Sequence, residues 1–199
     1  DGVSWYLPSP HDRPPVTGTA PAAPGKAGLG QTLSRRPSVE DPFCGLVFKV
    51  LPSKHGDFCW LRCYSGRLKA NSRQLNAGKG MKENVAQLWH IHATKREEQV
   101  DSIEAGDIVG IIGPRDSITG DTLCDPKEPL LLEAIEFPET VISMAIEPES
   151  STDRKKLAEV LEMLKRQDPT FRAAESAETG QTLISGMGEL HLEVIKHRL

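Results

Sequence analysis

The stretch Gly180–Leu199, with the sequence GQTLISGMGELHLEVIKHRL, decides the fold of the second half of the chain. Residues Gln181–Ser185 alternate between two faces, which is the period-two pattern of a strand. The Gly-Met-Gly at 186–188 permits a tight turn and a close approach to another surface. Apolar residues at helical spacing follow, and these are Leu192, Ile195 and Leu199. The stretch therefore predicts a strand, a glycine turn and a helix.

Residues 141–175 extend this unit towards the N-terminus. Val141–Ile146 alternates as a strand, and Thr170–Glu175 is predicted as another. Between them, Asp153–Gln167 carries an apolar stripe at positions i, i+3, i+4 and i+7, and Pro169 stops this helix. The predicted order is β-α-β-β-α, which is a ferredoxin-like unit without its last strand. Because this unit is incomplete, we expect the chain to be a piece of a longer protein.

Short strands separated by turns are predicted across residues 43–132. They are expected at Phe43–Leu51, Phe58–Tyr64, Arg67–Ala70, Gln74–Leu75, Glu83–His92, Asp107–Ile112 and Thr122–Cys124. One face of the first strand is expected to hold Cys44, Leu46, Phe48 and Val50. Many short strands at regular turn spacing indicate a closed barrel or a sandwich.

The first 40 residues differ in composition, because proline, glycine, alanine and serine make up much of them. Such a segment buries too little apolar surface to offset its ordering entropy. We therefore expect residues 1–40 to be a mostly flexible linker, with Thr17–Glu40 as linker or loop. Trp5–Pro10 is the exception, since it is aromatic and stiff.

Charge, cysteine usage and hydropathy narrow the class of protein. The net charge of −4 argues against a free nucleic-acid-binding module held by bulk charge, although it leaves room for a local basic face. No apolar run is long enough to span a membrane. Cys59 and Cys63 are four residues apart, but no second pair at zinc spacing accompanies them. Free, mostly buried thiols in a reducing cytosol are therefore expected at Cys44, Cys59, Cys63 and Cys124.

Longer stretches of sequence identify a family more specifically than these patterns do. TGQTLISGMGELHLEVI, at 179–195, closely resembles the third domain of elongation factor G, the translational GTPase that drives translocation on the ribosome. RCYSGRLKANSRQL, KENVAQLWHIHATKREEQVDSIEAGDIVGIIG and SITGDTLCD resemble the β-barrel second domain that translational GTPases share. YLPSP, at 6–10, resembles the end of the family's GTPase domain. Asn71 stands where the family usually has glycine, and asparagine tolerates the left-handed conformation of that turn.

The resemblance implies a fold class that is mainly β plus α+β. It implies a linker from the GTPase domain at 1–40, and a translation-factor β-barrel, domain II, at 41–132. A truncated ferredoxin-like domain III, lacking its last strand, is implied at 133–199. The partners implied are the ribosome, through its small-subunit RNA and proteins, and the family's GTPase and C-terminal domains in cis. The implied location is the cytoplasm.

The sequence contains no motif for nucleotide chemistry. Gly120 is followed by Asp121 rather than by Lys-Ser/Thr, and the Gly-Lys-Gly at 78–80 lacks the spacing of a phosphate loop. We therefore expect no catalytic residue and no cofactor or metal site in this chain. The resemblance implies that GTP and magnesium bind elsewhere in the whole protein, in its GTPase domain.

Two groups of polar residues are candidate sites. A basic cluster in the first half of the barrel is most often a solvated face, but the resemblance implies contact with the ribosomal RNA of the small subunit. This cluster consists of Arg62, Arg67, Lys69, Arg73, Lys79 and Lys82. Four other positions match family residues that line the interdomain surface where the antibiotic fusidic acid binds, and these are Asp168, Thr170, His191 and Arg198.

The leading interpretation is a part of elongation factor G, in which the barrel contacts the small subunit and the third domain relays the state of the nucleotide site. A ribosome-recycling or ribosomal-protection relative, bacterial or organellar, fits the same words. A stand-alone β-barrel module that binds RNA or the ribosome is the alternative from another class, and only the chain length favours it. A phosphate loop encoded upstream of Asp1 would decide between the classes.

Overall fold

The computed structural model describes residues 2–21, 30–52, 56–92, 95–148, 150–176 and 180–199. They form two compact units, Asp1–Ala134 and Ile135–Leu199. Each unit contains a hydrophobic core of its own. No helix in the described ranges is long and apolar enough to cross a membrane.

The first unit is built almost entirely of short strands. It opens with the short helix α1, Gly2–Tyr6, and a single 3-10 turn at Pro10–Asp12. The strands that follow are β1 Val16–Thr19, β2 Thr32–Arg35, β3 Cys44–Leu51, β4 Phe58–Ser65, β5 Arg67–Lys69, β6 Ser72–Asn76, β7 Met81–Val85, β8 Gln87–His92, β9 Lys95–Val100, β10 Ser102–Glu104, β11 Ile108–Ile112, β12 Thr122–Cys124 and β13 Leu131–Leu132.

The main sheet of this unit curls into a barrel because one bent segment, β7 followed by β8, supplies strands near both ends of the strand order. The ladder runs β7-β6-β12-β3-β4-β11-β8-β9. Strands β7 and β8 are joined through Ala86 alone, so the strand that pairs with β6 continues into the strand that pairs with β11. Ala86 bonds on both sides, donating its N–H to the carbonyl of Ile112 at 2.8 Å and accepting from the N–H of Asn71 at 3.3 Å. The prediction of one strand at Glu83–His92 was therefore wrong, because closure requires the bend.

Aliphatic side chains fill the interior of the barrel. Its largest fully buried members are Leu61, Leu68, Leu88, Ile103, Ile111, Leu123, Val47, Val50 and Val85. All four cysteines are buried and none forms a disulfide, which confirms the prediction of buried thiols. Asn71 has a φ of 55°, so the left-handed turn expected at this position is also confirmed.

A β-bulge in β3 changes which of its side chains point inward. The register with β4 shifts between Val47 and Lys49. As a result Val47 and Val50 are fully buried, while Phe48 lies between them with 37% of its surface exposed. The prediction that Phe48 and Val50 share a face was wrong, because strict alternation does not survive an extra residue in one strand.

The N-terminal region contributes a second, smaller sheet of order β13-β1-β2. In it β1 pairs antiparallel with β2 from Val16↔Arg35 to Thr19↔Thr32. The prediction of linker or loop at Thr17–Glu40 was therefore wrong for these two strands, and residues 22–29 lie outside the described residues. The partner that composition did not reveal is β13, which pairs with β1 from more than a hundred residues away.

The second unit has the predicted ferredoxin-like order. Its elements are β14 Ile142–Ile146, α2 Ser151–Gln167, β15 Arg172–Glu175, β16 Thr182–Gly186 and α3 Glu189–Lys196. The sheet order is β14-β16-β15, with both pairings antiparallel. This is the split β-α-β arrangement in which the third strand lies between the first and the second. The predicted fold class, a translation-factor barrel followed by a β-α-β-β-α unit, is confirmed.

Helix α2 has a side-chain cap at its start and a polar residue at its end. The hydroxyl of Ser150 accepts the N–H of Asp153, and Asp168 is the C-cap. The helix packs its apolar stripe on the sheet together with α3. The resulting core consists of Leu161, Leu164, Phe171, Ile184, Leu192 and Ile195.

Candidate functional site

Asp168 anchors a polar cluster at the point where α2 ends. Its Oδ1 accepts two hydrogen bonds from Thr170, one from the backbone N–H at 2.8 Å and one from the hydroxyl at 2.6 Å. These bonds close a turn that satisfies local polar groups after the helix has stopped. The strand predicted from Thr170 therefore begins two residues later, at Arg172.

His191, on α3, bridges this turn to the glycine turn before α3. Its Nδ1 accepts the backbone N–H of Met187 at 3.1 Å, and its Nε2 lies 3.0 Å from Oδ2 of Asp168. Since Nδ1 accepts, the neutral ring must carry its hydrogen on Nε2 and donate it to the carboxylate. The ring thus ties the end of α2 to the start of α3.

The surroundings of Asp168 favour its charged form. Partial burial is the largest single influence and acts to raise the pKa of this carboxyl group. The hydrogen bonds from Thr170, together with the interaction with His191, outweigh burial and hold the pKa of Asp168 below its ordinary value. Asp168 is therefore an ionised acceptor at neutral pH.

A cavity of about 220 Å³ opens beside this cluster. Its walls are formed by Leu164, Gln167, Asp168, His191, Val194, Ile195 and Arg198. Three of the four residues indicated by the family resemblance line it, and the fourth, Thr170, holds Asp168 in place. The structure thus brings all four into one site within the second unit, although only the resemblance had grouped them.

The six predicted basic residues of the barrel do not form a uniform face. Arg67 is paired with Glu104, and Lys79 with Asp121 at 2.8 Å. The guanidinium of Arg62 lies 5.4 Å from the ring centroid of Tyr64, in a cation–π contact. These three side chains are already engaged within the barrel.

The other three, Lys69, Arg73 and Lys82, point outward from β5, β6 and β7. Arg73 stands opposite Asn84 and Lys82 opposite Leu75, so Arg73 and Lys82 are diagonal neighbours on one outer face. Both are exposed, as is Lys69. Among the described residues no carboxylate pairs with these three cations, so we name Lys69, Arg73 and Lys82 the open basic patch.

A buried acidic residue, Glu83, holds the loop between β11 and β12 and was not recognised in the sequence. Its Oε1 accepts from the backbone N–H of Asp116 and the hydroxyl of Ser117, both at 3.0 Å. Its Oε2 accepts from the N–H of Arg115, also at 3.0 Å. The alternation of buried and exposed residues in β7 could have revealed the role of Glu83. Glu83 lies two residues before the buried Val85, so it faces the interior, where a carboxylate requires hydrogen-bond donors.

A second carboxylate completes this polar network. Asp121 accepts from Nδ2 of Asn76 at 2.8 Å and from the N–H of Ile118 at 2.9 Å, in addition to its ion pair with Lys79. Lys79, predicted as an RNA contact, is thereby engaged in holding the loop. In the part of the chain that the structure describes, no group of three or more potential ligands could hold a metal ion.

Comparison with known families assigns both units. Residues 58–124 match the family model of elongation factor Tu domain 2. Residues 137–199 match that of elongation factor G, domain III. The chain is of elongation factor G type. It carries translation elongation factor domains, with the barrel domain first and the third domain after it.

A solved structure is similar to this chain over most of its length. A protein from Thermus thermophilus is 29% identical to it, with a TM-score of 0.68, over 79% of this chain and 24% of that one. The chain thus spans about a quarter of the length of this relative.

Proposed function

We propose that this chain forms part of a GTP-dependent translation factor that promotes translocation on the ribosome. In this proposal the barrel contacts the small ribosomal subunit, and the third domain transmits the state of the nucleotide site. GTP and magnesium would bind in a GTPase domain, not in these two units. The proposed location of the factor is the cytoplasm.

One observation carries the proposal, and it is the succession of the two matched domains in a single chain. The match at 58–124 is to a barrel from elongation factor Tu, whereas the match at 137–199 is to domain III of elongation factor G. The second match therefore supports a factor of the G type in particular. A free-standing binding module would have no use for a domain of this kind.

The open basic patch is the part of the barrel best suited to RNA. Lysine and arginine side chains without carboxylate partners can approach phosphates without first breaking an ion pair. Each phosphate contact releases counterions, so the logarithm of affinity falls with the logarithm of salt by about 0.7–0.9 per contact. Replacing Lys69, Arg73 and Lys82 together by alanine removes up to three such contacts.

The test is binding of this chain to purified small ribosomal subunits between low and physiological salt. We expect the triple alanine variant to bind more weakly and to lose about two to three units of the salt slope. The matched control replaces Arg154, Lys155 and Lys156, three exposed cations of α2, and changes the net charge equally. Equal slopes for the two triple variants would refute the assignment of the patch.

The site around Asp168 is the proposed relay and, by resemblance, the fusidic acid surface. Its cavity of about 220 Å³ is below the range of about 300–1,000 Å³ typical of sites that enclose small molecules. The second unit would therefore supply one wall, and a GTPase domain the other. Because His191 connects two elements, its removal should loosen that wall without affecting the barrel.

The relay is tested in the intact gene product by ribosome-stimulated GTP hydrolysis, by translocation and by small-subunit binding. We expect His191→Ala to reduce coupling between hydrolysis and translocation while subunit binding is retained. His197→Ala, six residues further at the exposed end of α3, is the control. Loss of subunit binding in His191→Ala would show that the residue acts on folding or docking instead.

A further inference from the structure

Cys44 and Cys124 stand directly opposite each other where β3 pairs with β12. On either side of them the ladder bonds are made by other pairs. The N–H of Asp125 donates to the carbonyl of Phe43, and the N–H of Val47 to that of Asp121, both at 2.9 Å. Bonded and non-bonded pairs alternate along an antiparallel ladder, so Cys44 and Cys124 form a non-hydrogen-bonded pair.

This register places the two thiols at the closest spacing that a sheet offers. Opposed Cα atoms in a non-hydrogen-bonded pair are about 4.5 Å apart, and their side chains project to the same face. Native disulfides span Cα separations of about 4.4–6.8 Å. A bond between Cys44 and Cys124 would therefore lie within the permitted range, at its short end.

The environment of the pair lowers the reactivity of its thiols. Burial raises the pKa of the Cys44 thiol, and the adjacent Cys124 and then Cys63 raise it further. While the two thiols are buried, they are therefore poor nucleophiles. Reaction requires that the layer above the thiols open first.

That layer is the small sheet of β1, β2 and β13. Cys44 and Cys124 belong to a core cluster with Leu130 and Leu132, against which Val16 and Leu33 pack. The ladder between β1 and β13 consists of two residue pairs, Gly18↔Leu132 and Thr19↔Leu131, and Arg35 of β2 also donates to the carbonyl of Glu128 at 3.2 Å. Local opening of so short a ladder exposes the thiols while the barrel stays folded.

The other two cysteines are not placed in this way. Cys63 stands opposite Gly45, and its thiol donates to the carbonyl of Ser65 at 3.4 Å. Cys59 stands opposite Val50 on one side and Ile111 on the other. Neither faces another thiol across a ladder.

We propose that Cys44 and Cys124 are a thiol–disulfide modification site that reacts with a low-molecular-weight disulfide such as glutathione disulfide. One cysteine thiolate attacks the reagent, forms a mixed disulfide and releases one glutathione thiolate. The second cysteine thiolate attacks the mixed disulfide at the protein sulfur, closes the Cys44–Cys124 bond and releases the second glutathione. The two protons lost by the cysteines end on the two glutathiones, so the protein loses two hydrogens and the reagent is fully reduced. The product joins β3 covalently to β12.

The experiment exposes the chain to glutathione disulfide, alkylates the remaining thiols and maps the peptides by mass spectrometry. The incubation lasts as long as the amides of Val16–Thr19 take to exchange with deuterium. By that time the β1–β2 hairpin that covers the thiols has opened. We expect one crosslinked species that contains Cys44 and Cys124, with Cys59 and Cys63 alkylated, and full reversal by dithiothreitol. Four alkylated thiols, glutathione adducts alone, or a bond from Cys44 to Cys63 would each overturn the proposal.

Two variants make the result specific. Cys124→Ser should give at most a glutathione adduct on Cys44 and no crosslink. Cys59→Ser, which removes a thiol on the same barrel but outside the pair, should crosslink as the unmodified chain does. A crosslink in Cys124→Ser, or its loss in Cys59→Ser, would contradict the assigned pair.

Discussion

Glu83 offers the sharpest test of how the barrel is held together. Its carboxylate is 4% exposed and accepts three hydrogen bonds from Arg115, Asp116 and Ser117. Glutamine at this position keeps one acceptor oxygen in place of Oε1, but it puts an amide NH₂ where Oε2 receives the N–H of Arg115. One hydrogen bond to a charged acceptor is lost, and a donor then faces a donor. Hydrogen bonds to charged groups contribute about 1.5–3 kcal/mol each.

We therefore expect Glu83→Gln to lower the free energy of unfolding of the barrel by about 1.5–3 kcal/mol. Glu83→Ala removes all three bonds, and against a typical domain stability of about 5–15 kcal/mol it should prevent or severely weaken folding. The assay is urea denaturation followed by tryptophan fluorescence, since Trp60 on β4 and Trp89 on β8 report on the barrel.

Glu104→Gln is the matched control. This glutamate pairs with Arg67, but its side chain is 49% exposed, and surface pairs are worth about 0–1 kcal/mol. If Glu83→Gln cost no more than Glu104→Gln, the loop between β11 and β12 would not depend on the buried carboxylate, and the reasoning would fail.

Other properties of the chain can be tested in the same way. The folded-state pKa of Asp168 lies below its ordinary value of 3.8, so its contribution to stability is present above that pH and is lost as the pH falls through the folded-state pKa. Circular dichroism at 222 nm in urea should show this acid loss in the second unit, and Asp168→Asn should reduce it. Asn71→Gly should leave barrel stability within a few tenths of a kcal/mol, whereas Asn71→Ala, at a φ of 55°, should cost about 1 kcal/mol in the same fluorescence assay. Isothermal titration with GTP and GDP should detect no binding, and micromolar affinity would contradict the proposal that nucleotide binds elsewhere. Hydrogen exchange should be slower in the barrel than in Val141–Leu199, because β14 has no partner on its outer side among the described strands; equal protection in a monomer would refute this.

Local sequence patterns predicted the second unit well because each of its elements is specified locally. Asp153–Gln167 has a complete apolar stripe and a proline stop, and the helix found, Ser151–Gln167, differs from it by one half-turn at the N-terminus. The pairing of β14 with β16, from Ile142↔Gly186 to Ile146↔Thr182, joins strands that are distant in sequence, so it follows from the order of the elements and not from a local turn.

The barrel was less predictable because its decisive contacts are distant in sequence. The bend at Ala86 exists because β6 and β11 each need a partner, and the bulge at Phe48 satisfies the register with β4. The pairing of β1 with Leu131–Leu132 cannot be recognised from the composition of a proline-rich segment. Propensity alone says nothing about a partner that lies so far along the chain.

The candidate sites also show which features the sequence could predict and which depend on contacts between distant residues. The resemblance alone indicated Asp168 and His191, and the structure joins the two side chains by a hydrogen bond. For the basic cluster, charge alone did not reveal that Arg67 and Lys79 have carboxylate partners from distant parts of the chain. Whether a cation is available to a ligand depends on its neighbours, which the linear order of residues does not give.

The sheet order β14-β16-β15 has a consequence for the synthesis of the protein itself. Of these three strands Thr182–Gly186 is made last and lies between the other two, so within this sheet neither Ile142–Ile146 nor Arg172–Glu175 has a pairing partner until it emerges. At about 5–20 residues per second, translation from Ile146 to Thr182 takes roughly 2–7 s. During that interval the nascent first strand and helix expose the apolar side chains that later form the core.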